Sequence, residues 1–400
     1  MSTDSDPDLE AFLHIVHVSD MHCKGGASAI DLATEKKLRW TVRELRRLGR
    51  SAWADALEQR WENGLAGHDP LAHDRMCEFL SQFASHPQFA GVATWLLDTG
   101  DLSTLGDADS LHTALCWLNV YAAILNAAEV LVLHGNHDAW PGRFPLFAGD
   151  QEIHAQQLTL RQWLNKAWPD TSIQIAIPHC DAKLRLNAIN STTGNRIPNT
   201  LARGMVDLDP PWAAYVGRQQ MTQLAAQTQQ TFHPDGQTRD FRILALHHPV
   251  HYPPPRPSMQ MSLRNDREVA DALAAFSAQQ RGLLAHLVLS GHTHASYPVL
   301  GALPPTSTGQ RYLPLYEGQL QLIAGSLSQL PRYADRGKFE DEDFIPQQCQ
   351  ILTFFASPKS SRQGRLLMER RVVGRRGAGP YKFLAPPGRG SGIESVMWTY

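Results

Sequence analysis

The sequence predicts an α/β protein, and three observations carry that prediction. Short apolar runs, partly β-branched, recur along the chain and read as buried strands. Segments long enough to be helices lie between them, the pattern of alternating α/β proteins. Just past the ends of the runs come polar clusters: Asp20-Met21-His22, Gly100-Asp101, Gly135-Asn136-His137-Asp138, His247-His248-Pro249 and Gly291-His292-Thr293-His294.

Phe12 to Ser19 reads as the first strand and delivers Asp20 and His22. Ile30 to Gly64 reads as helix, broken near Gly49, with a basic face from Lys36 to Arg47. His73 to Ser85 is a further helix, and Trp95 to Leu97 leads into Asp98-Thr99-Gly100-Asp101. Leu111 to Ala127 is helical, and Val130 to Leu133 is the strand before the first tetrad. Ile153 to Trp168 is helical and stopped by Pro169. Ile173 to Ile177 and Leu184 to Ile189 read as strands, and Gln219 to Thr231 as a Gln-rich helix. Phe241 to Leu246 delivers His247, and Pro249 to Pro257 is too rich in proline for helix or central strand. Asp266 to Gln280 is a helix, and Ala285 to Leu289 delivers the second tetrad. Leu320 to Ala324, Gln350 to Phe355 and Leu366 to Val373 then follow as strands with little helix between them. From Gly374 the chain is rich in Gly, Pro and Arg and reads as a tail that wraps the surface or is loosely held.

Composition narrows the function classes. The chain has 400 residues, of which 42% are hydrophobic and 19% charged, enough for a sizeable core. A formal net charge of -2 supplies no global field toward nucleic acid or an anionic membrane. Cys23, Cys77, Cys116, Cys180 and Cys349 are scattered without a C-x-x-C pair, so no zinc-finger site is expected. Their odd count suggests reduced thiols and a cytoplasmic protein. The acidic, polar start from Met1 to Glu10 lacks the pattern of a secretory signal. No apolar run approaches the ~20 residues that span a bilayer.

The polar clusters differ in weight. Asp20-x-His22 is weak in a chain with 18 histidines, and Gly100-Asp101 is weaker still, since a turn explains it equally well. Gly135-Asn136-His137-Asp138 is the strongest signal, and Gly291-His292-Thr293-His294 is intermediate. Open α/β sheets build their sites outside the carboxyl ends of strands, so five such ends can converge. Together they offer enough oxygen and nitrogen for two adjacent metal ions, which points to a metal-dependent hydrolase acting on a phosphate ester.

All five segments, in this order, resemble the calcineurin-like metallophosphoesterase superfamily. The resemblance runs from Asp20 to about Ser328, where Ala324-Gly325-Ser326 looks like the strand that follows the last His motif. It leaves out Ile30 to Ser85 and the C-terminal tail. It implies a four-layer sandwich of two mixed β-sheets flanked by helices, with a helical insertion after the first strand. The chain then reads as a single domain over 1–400, with an insertion over 30–85 that could act as a lid and a tail over 374–400.

The resemblance also implies roles. Asp20, His22 and His294 hold one metal, Asn136, His247 and His292 hold the other, and Asp101 bridges both. His137 lies over the scissile phosphate as a charge stabiliser or general acid, and Asp138 orients its ring. A metal-bridging hydroxide is the implied nucleophile. The metals are two divalent or trivalent ions from among Mn, Fe, Zn and Co, which ligands of this kind do not distinguish. Thr104 stands where the purple acid phosphatases carry a Tyr, so no tyrosinate-to-iron colour is expected. Gly100-Asp101 is followed by Leu102-Ser103-Thr104 and not by the Arg-containing motif of the Ser/Thr protein phosphatases, and the first tetrad ends in Asp138. In these respects the chain looks more like the cyclic-nucleotide phosphodiesterase group.

Other polar residues have plainer explanations. His248 and His134 read as support or packing, and His14 and His17 as satisfied core histidines. His251, Tyr252 and Arg143 could line the pocket, although a surface role suits Arg143 at least as well. The expected function is hydrolysis of a phosphodiester or phosphomonoester of a small molecule, such as a nucleotide. A nuclease acting on DNA and a non-catalytic scaffold that keeps its metals are the alternatives. No membrane partner is expected, nucleic acid is not favoured, and self-association is left open.

Overall fold

Strand β1 (Glu10–Val18) runs through the middle of one of two sheets, and its sequence shows how the layers form. Side chains alternate along a strand, so Leu13 and Ile15 face one way while Val16 and Val18 face the other. All four are fully buried, so both faces of the sheet are covered. The computed structural model describes residues 9–23, 32–55, 69, 71–103, 108–138, 172–192, 217–231, 240–251, 263, 265–280, 282–294, 319–328, 347–357, 365–375, 379–384 and 393–399. Thr104, Arg143, Tyr252, the helix expected over Ile153 to Trp168 and parts of the 30–85 and 374–400 segments lie outside these residues.

In the first sheet β1 is flanked by β2 (Ala93–Asp98) and, beyond it, β3 (Glu129–Val132), all parallel. On its other side lie β9 (Gln347–Ala356) and then β10 (Arg365–Arg375), both antiparallel to their neighbours. The second sheet has the order β4 (Ser172–Ala176), β5 (Lys183–Ala188), β6 (Phe241–Ala245), β7 (Leu287–Ser290) and β8 (Leu320–Ile323). Strands β5 to β8 are parallel and β4 is antiparallel at the edge. Both sheets are therefore mixed.

Three apolar clusters define four layers. Leu13, Ile15, Trp95, Leu97 and Phe354 of the first sheet pack with Leu184, Ile243, Leu287 and Leu322 of the second. Val16, Val18, Leu96 and Ile351, on the other face of the first sheet, pack under helices α2 (Ala72–Ser85) and α3 (Ala108–Leu125). Leu244 and Val288, on the far face of the second sheet, pack under α4 (Gly217–Gln229) and α5 (Asp266–Gln280). Burying a side chain of this kind contributes about 1.5–3 kcal/mol, so the two-faced burial of these strands dominates the stability of the fold.

Within the 30–85 segment, α2 buries Met76, Phe79, Leu80 and Phe83 against the first sheet as part of its outer layer. Helix α1 (Leu32–Arg47) ends in a turn in which Arg50 N donates to Leu45 O, the break expected near Gly49. Arg39, Arg43, Arg46 and Arg47 are exposed, and two of them pair with acids, Arg46 with Asp55 at 2.9 Å and Arg47 with Glu44 at 3.4 Å. The described part of the tail is ordered sheet. β11 (Lys382–Phe383) and β12 (Ile393–Thr399) both pair with β10, and Tyr381 is buried. Isolated apolar and aromatic residues of β12 suffice because Trp398 packs on Phe241 of the second sheet.

All five cysteines are free thiols. Among the described residues, no helix is long and apolar enough to cross a membrane.

Candidate metal centre

The carboxyl ends of β1, β2 and β3 in one sheet and of β5 to β8 in the other turn toward one place. Asp20 N donates to Gly100 O and His22 N to Asp101 O, which ties the β1 and β2 ends together. Gly291 N donates to His247 O, and Leu327 N to Ser19 O. His292 N donates to Asp20 Oδ2 at 2.9 Å, and Ser326 Oγ to the Asp20 carbonyl at 2.8 Å, which joins the two sheets. Glycine is required where these turns touch. A Cβ on Gly135 would lie 2.1 Å from Asp101 N, and one on Gly291 would lie 1.8 Å from Ser19 Oγ.

The backbone is strained here. Seven non-glycine residues among those described have positive φ, and five of them are Asp20, His22, Asp101, His292 and His294. Each such residue costs on the order of 1–3 kcal/mol and persists only where its surroundings enforce it.

Two groups of side chains converge. Asp20, His22, Asp101 and His294 form one, and His247, His248 and His292 the other, each with its ligand atoms within 4.8 Å of one another. In the first, His22 Nε2 lies 3.2 Å from His294 Nε2, and Asp20 Oδ1 lies 3.1 Å from His294 Nε2. In the second, His247 Nε2 lies 3.2 Å from His292 Nδ1 and 3.0 Å from Asn136 Oδ1. Asp101 Oδ2 lies between the groups, 3.8 Å from His22 Nε2 and 3.4 Å from His247 Nε2. Ligand atoms around a metal with bonds of about 2.0–2.2 Å stand about 3 Å or slightly more apart, so the spacings fit a cation.

The carboxylates divide their oxygens between scaffold and site. Asp20 Oδ2 accepts from Ser19 Oγ at 2.5 Å and from His292 N, while Asp101 Oδ1 accepts from His137 N at 2.7 Å. Asp20 Oδ1 and Asp101 Oδ2 are buried and accept no hydrogen bond among the described residues. Orphaned buried acceptors are costly, and a cation would satisfy both. His247 Nδ1 donates to the Thr99 carbonyl at 2.8 Å, which turns Nε2 toward the other ligands.

Burial acts against charge throughout the site, and neighbours decide the outcome. It would raise the Asp20 carboxyl, but His294 and His22 hold it well below the usual range. Asp101 is likewise held low, by His247 and His137 acting against burial. Burial lowers His22 to about 4 and His292 to about 3, so both are neutral imidazoles with a lone pair to offer. At His247 burial is outweighed by Asp101 and Asp20, which raise it to about 9.

The structure thus brings Asp20, His22, Asp101, Asn136, His247, His292 and His294 together. His137 is beside them, with its ring edge-on to His22 at 4.6 Å between centroids. Asp138 has a different position from the one expected. Its oxygens accept from Leu102 N, Ser103 N, Ser103 Oγ and Gly135 N at 2.9–3.2 Å, so it braces the β2 and β3 turns together in place of orienting His137. Burial and the nearby Asp101 raise its pKa to about 6.

Sequence reasoning undervalued His248, whose ring lies 4.3 Å from that of His292 and whose Nδ1 pairs with Ser191 Oγ at 2.9 Å. It missed Ser19 and the Asn190-Ser191-Thr192 turn after β5, where Thr192 Oγ1 lies 3.1 Å from His134 Nδ1. That turn follows a strand end, the signal that found the others.

Among known proteins, no curated protein matched the chain. Of the solved structures that resemble it, one is the Thermus thermophilus sulfate thiohydrolase SoxB in complex with glycerol. It is 11% identical with a TM-score of 0.36, over 86% of this chain and 54% of that one, so the chain spans about half the length of that protein. The model of the calcineurin-like phosphoesterase family matches residues 13–296, a span that holds every candidate ligand. The chain therefore belongs to the calcineurin-like phosphoesterases.

Proposed function

We propose that the protein hydrolyses a phosphodiester of a small molecule, such as a nucleotide, at a centre for two metal ions. The observation that carries this reading is the Asp101 carboxylate, one oxygen of which faces imidazoles of both groups. Asp20, His22 and His294 would hold one ion, Asn136, His247 and His292 the other, and Asp101 would be shared. When bound, such ions supply an acidified water and offset the charge of the phosphate.

The chain's own residues do the rest. Thr99 fixes the orientation of the His247 ring and Asp20 holds the backbone N–H of His292, so little reorganises during turnover. His137, half-buried at the edge of the cluster, donates a proton or a hydrogen bond to the leaving oxygen. His248 stands beside His292 as a further contact for metal or phosphate. Similarity to the cyclic-nucleotide phosphodiesterase group rests on Leu102-Ser103-Thr104 after Asp101 and on Asp138 at the tetrad's end. A single domain and a cytoplasmic address are the accompanying readings, the latter supported by five free thiols.

The test is a substrate panel under Mn²⁺, with metal content measured on the same sample. Two metals per chain are expected, with turnover of bis-p-nitrophenyl phosphate and cyclic nucleotides exceeding that of p-nitrophenyl phosphate. Preference for single-stranded DNA would replace the small-molecule reading with a nuclease. Turnover that survives a chelator would overturn the metal reading itself.

A further inference from the structure

Behind the metal centre, a line of buried side chains crosses three strands of the first sheet. Arg370 on β10 is fully buried, and its Nε donates to Gln350 Oε1 on β9 at 2.5 Å. Gln350 Nε2 lies 2.7 Å from His17 Nδ1 on β1. His17 Nε2 lies 3.0 Å from Thr99 Oγ1, and the Thr99 carbonyl accepts from His247 Nδ1. Gln350 and Arg370 lie outside the 13–296 span that matches the family.

The direction of every bond follows from one fact: an arginine only donates. Arg370 therefore claims the amide oxygen of Gln350 and turns the amide nitrogen toward His17. That nitrogen only donates, so His17 Nδ1 accepts and the ring proton sits on Nε2. His17 then donates to Thr99 Oγ1. The hydroxyl of Thr99 is thereby held from one side while its carbonyl holds His247 from the other.

We infer that Arg370 is a positioning residue for the metal centre, fixing the His17 tautomer through Gln350 and, through Thr99, the aim of His247. The inference rests on His247 being a metal ligand, and its scale is that of outer partners of ligands, whose loss typically costs 10–100-fold in affinity.

Cobalt(II) binding followed by absorption, together with ¹⁵N shifts of the His17 ring, tests it. Arg370→Met should weaken binding at the His247 group 10–100-fold and alter its cobalt spectrum, with Arg370→Lys recovering most of the loss. Arg242→Met removes an equally buried arginine, one that donates to Leu283 O at 2.7 Å, and should lower the melting temperature without changing the cobalt spectrum. Gln350→Glu keeps the volume and the Arg370 pair but offers His17 only acceptors. It should move the ring proton to Nδ1, and it carries the test if Arg370→Met does not fold. Cobalt affinity and spectrum unchanged in both Arg370→Met and Gln350→Glu would overturn the inference, as would a wild-type His17 already protonated on Nδ1. A wild-type protein that binds no cobalt would instead sink the metal reading, and the His17 shifts would still report on the relay.

Discussion

Two sets of histidines withdrawn from solvent can be compared in this molecule. His22, His247, His292 and His294 turn their nitrogens toward one another and toward two carboxylates. His14 and His73 are buried as well and His286 is half-buried, but each has its Nδ1 paired with an ordinary neighbour. His14 Nδ1 pairs with Thr353 Oγ1 at 2.9 Å, and His73 Nδ1 with Tyr121 OH at 2.8 Å. His286 accepts from Arg242 N at 3.0 Å and stacks on Phe241. Burial and residue type do not separate the sets. What does is backbone and company, because three of the first set have positive φ and none of the scaffold histidines does. A histidine held in a left-handed turn beside an orphaned carboxylate oxygen is the mark of the site.

Substitutions can break or sharpen that contrast, and the largest effect is expected where the two groups meet. Asp101→Asn should abolish metal binding and activity together, measured by elemental analysis and phosphodiester turnover. His137→Ala should keep its metals and lose about 10²–10⁴-fold in rate, the scale of a lost general acid. Equal loss of metal in both variants would erase the distinction between holding a metal and acting beside it.

The scaffold histidines predict a dependence on pH. Burial lowers His14 and His73 to about 4 and His286 to about 3, from an ordinary value of 6.5. The folded protein thus keeps them neutral where the unfolded chain takes up protons. Their contribution is intact above pH 6.5 and is lost as pH falls toward the folded values. The loss approaches on the order of 1.4 kcal/mol per pH unit for each group. Urea midpoints measured from pH 7 to pH 4 check this, and a flat profile would contradict it. The smallest effect is expected from His73→Leu. It should cost about 1–3 kcal/mol by leaving Tyr121 OH without its partner, and metal content should not change.

Much of this was legible in the sequence, for a definite reason. Strands buried on both faces are continuous apolar runs, and the residues after them had to land at one end of the sheets. The placement of Asp20, Asp101, Asn136, His247 and His292 followed from that rule, whereas their roles as ligands were implied by the family resemblance. The role of Asp138 did not. The family resemblance implied that it serves His137, but its carboxylate folds back onto Gly135 N, three residues away, and onto Ser103. The left-handed turns were hidden because Asp and His do not announce positive φ as glycine does. The strands of the tail were hidden because β11 is two residues long and the composition around β12 resembles a linker. Only pairing with β10 and the contact of Trp398 with Phe241 make them strands.

That last pairing has a consequence for how the protein keeps to itself. Along Arg365–Arg371 of β10, the one neighbour on the outer side among the described residues is β12. A chain cut before Ile393 would present seven residues of bare ladder, an adhesive seam against which another copy could lay its own strand. With β12 in place that edge is paired, and a protein shortened before it should be sought in the pellet before its activity is judged.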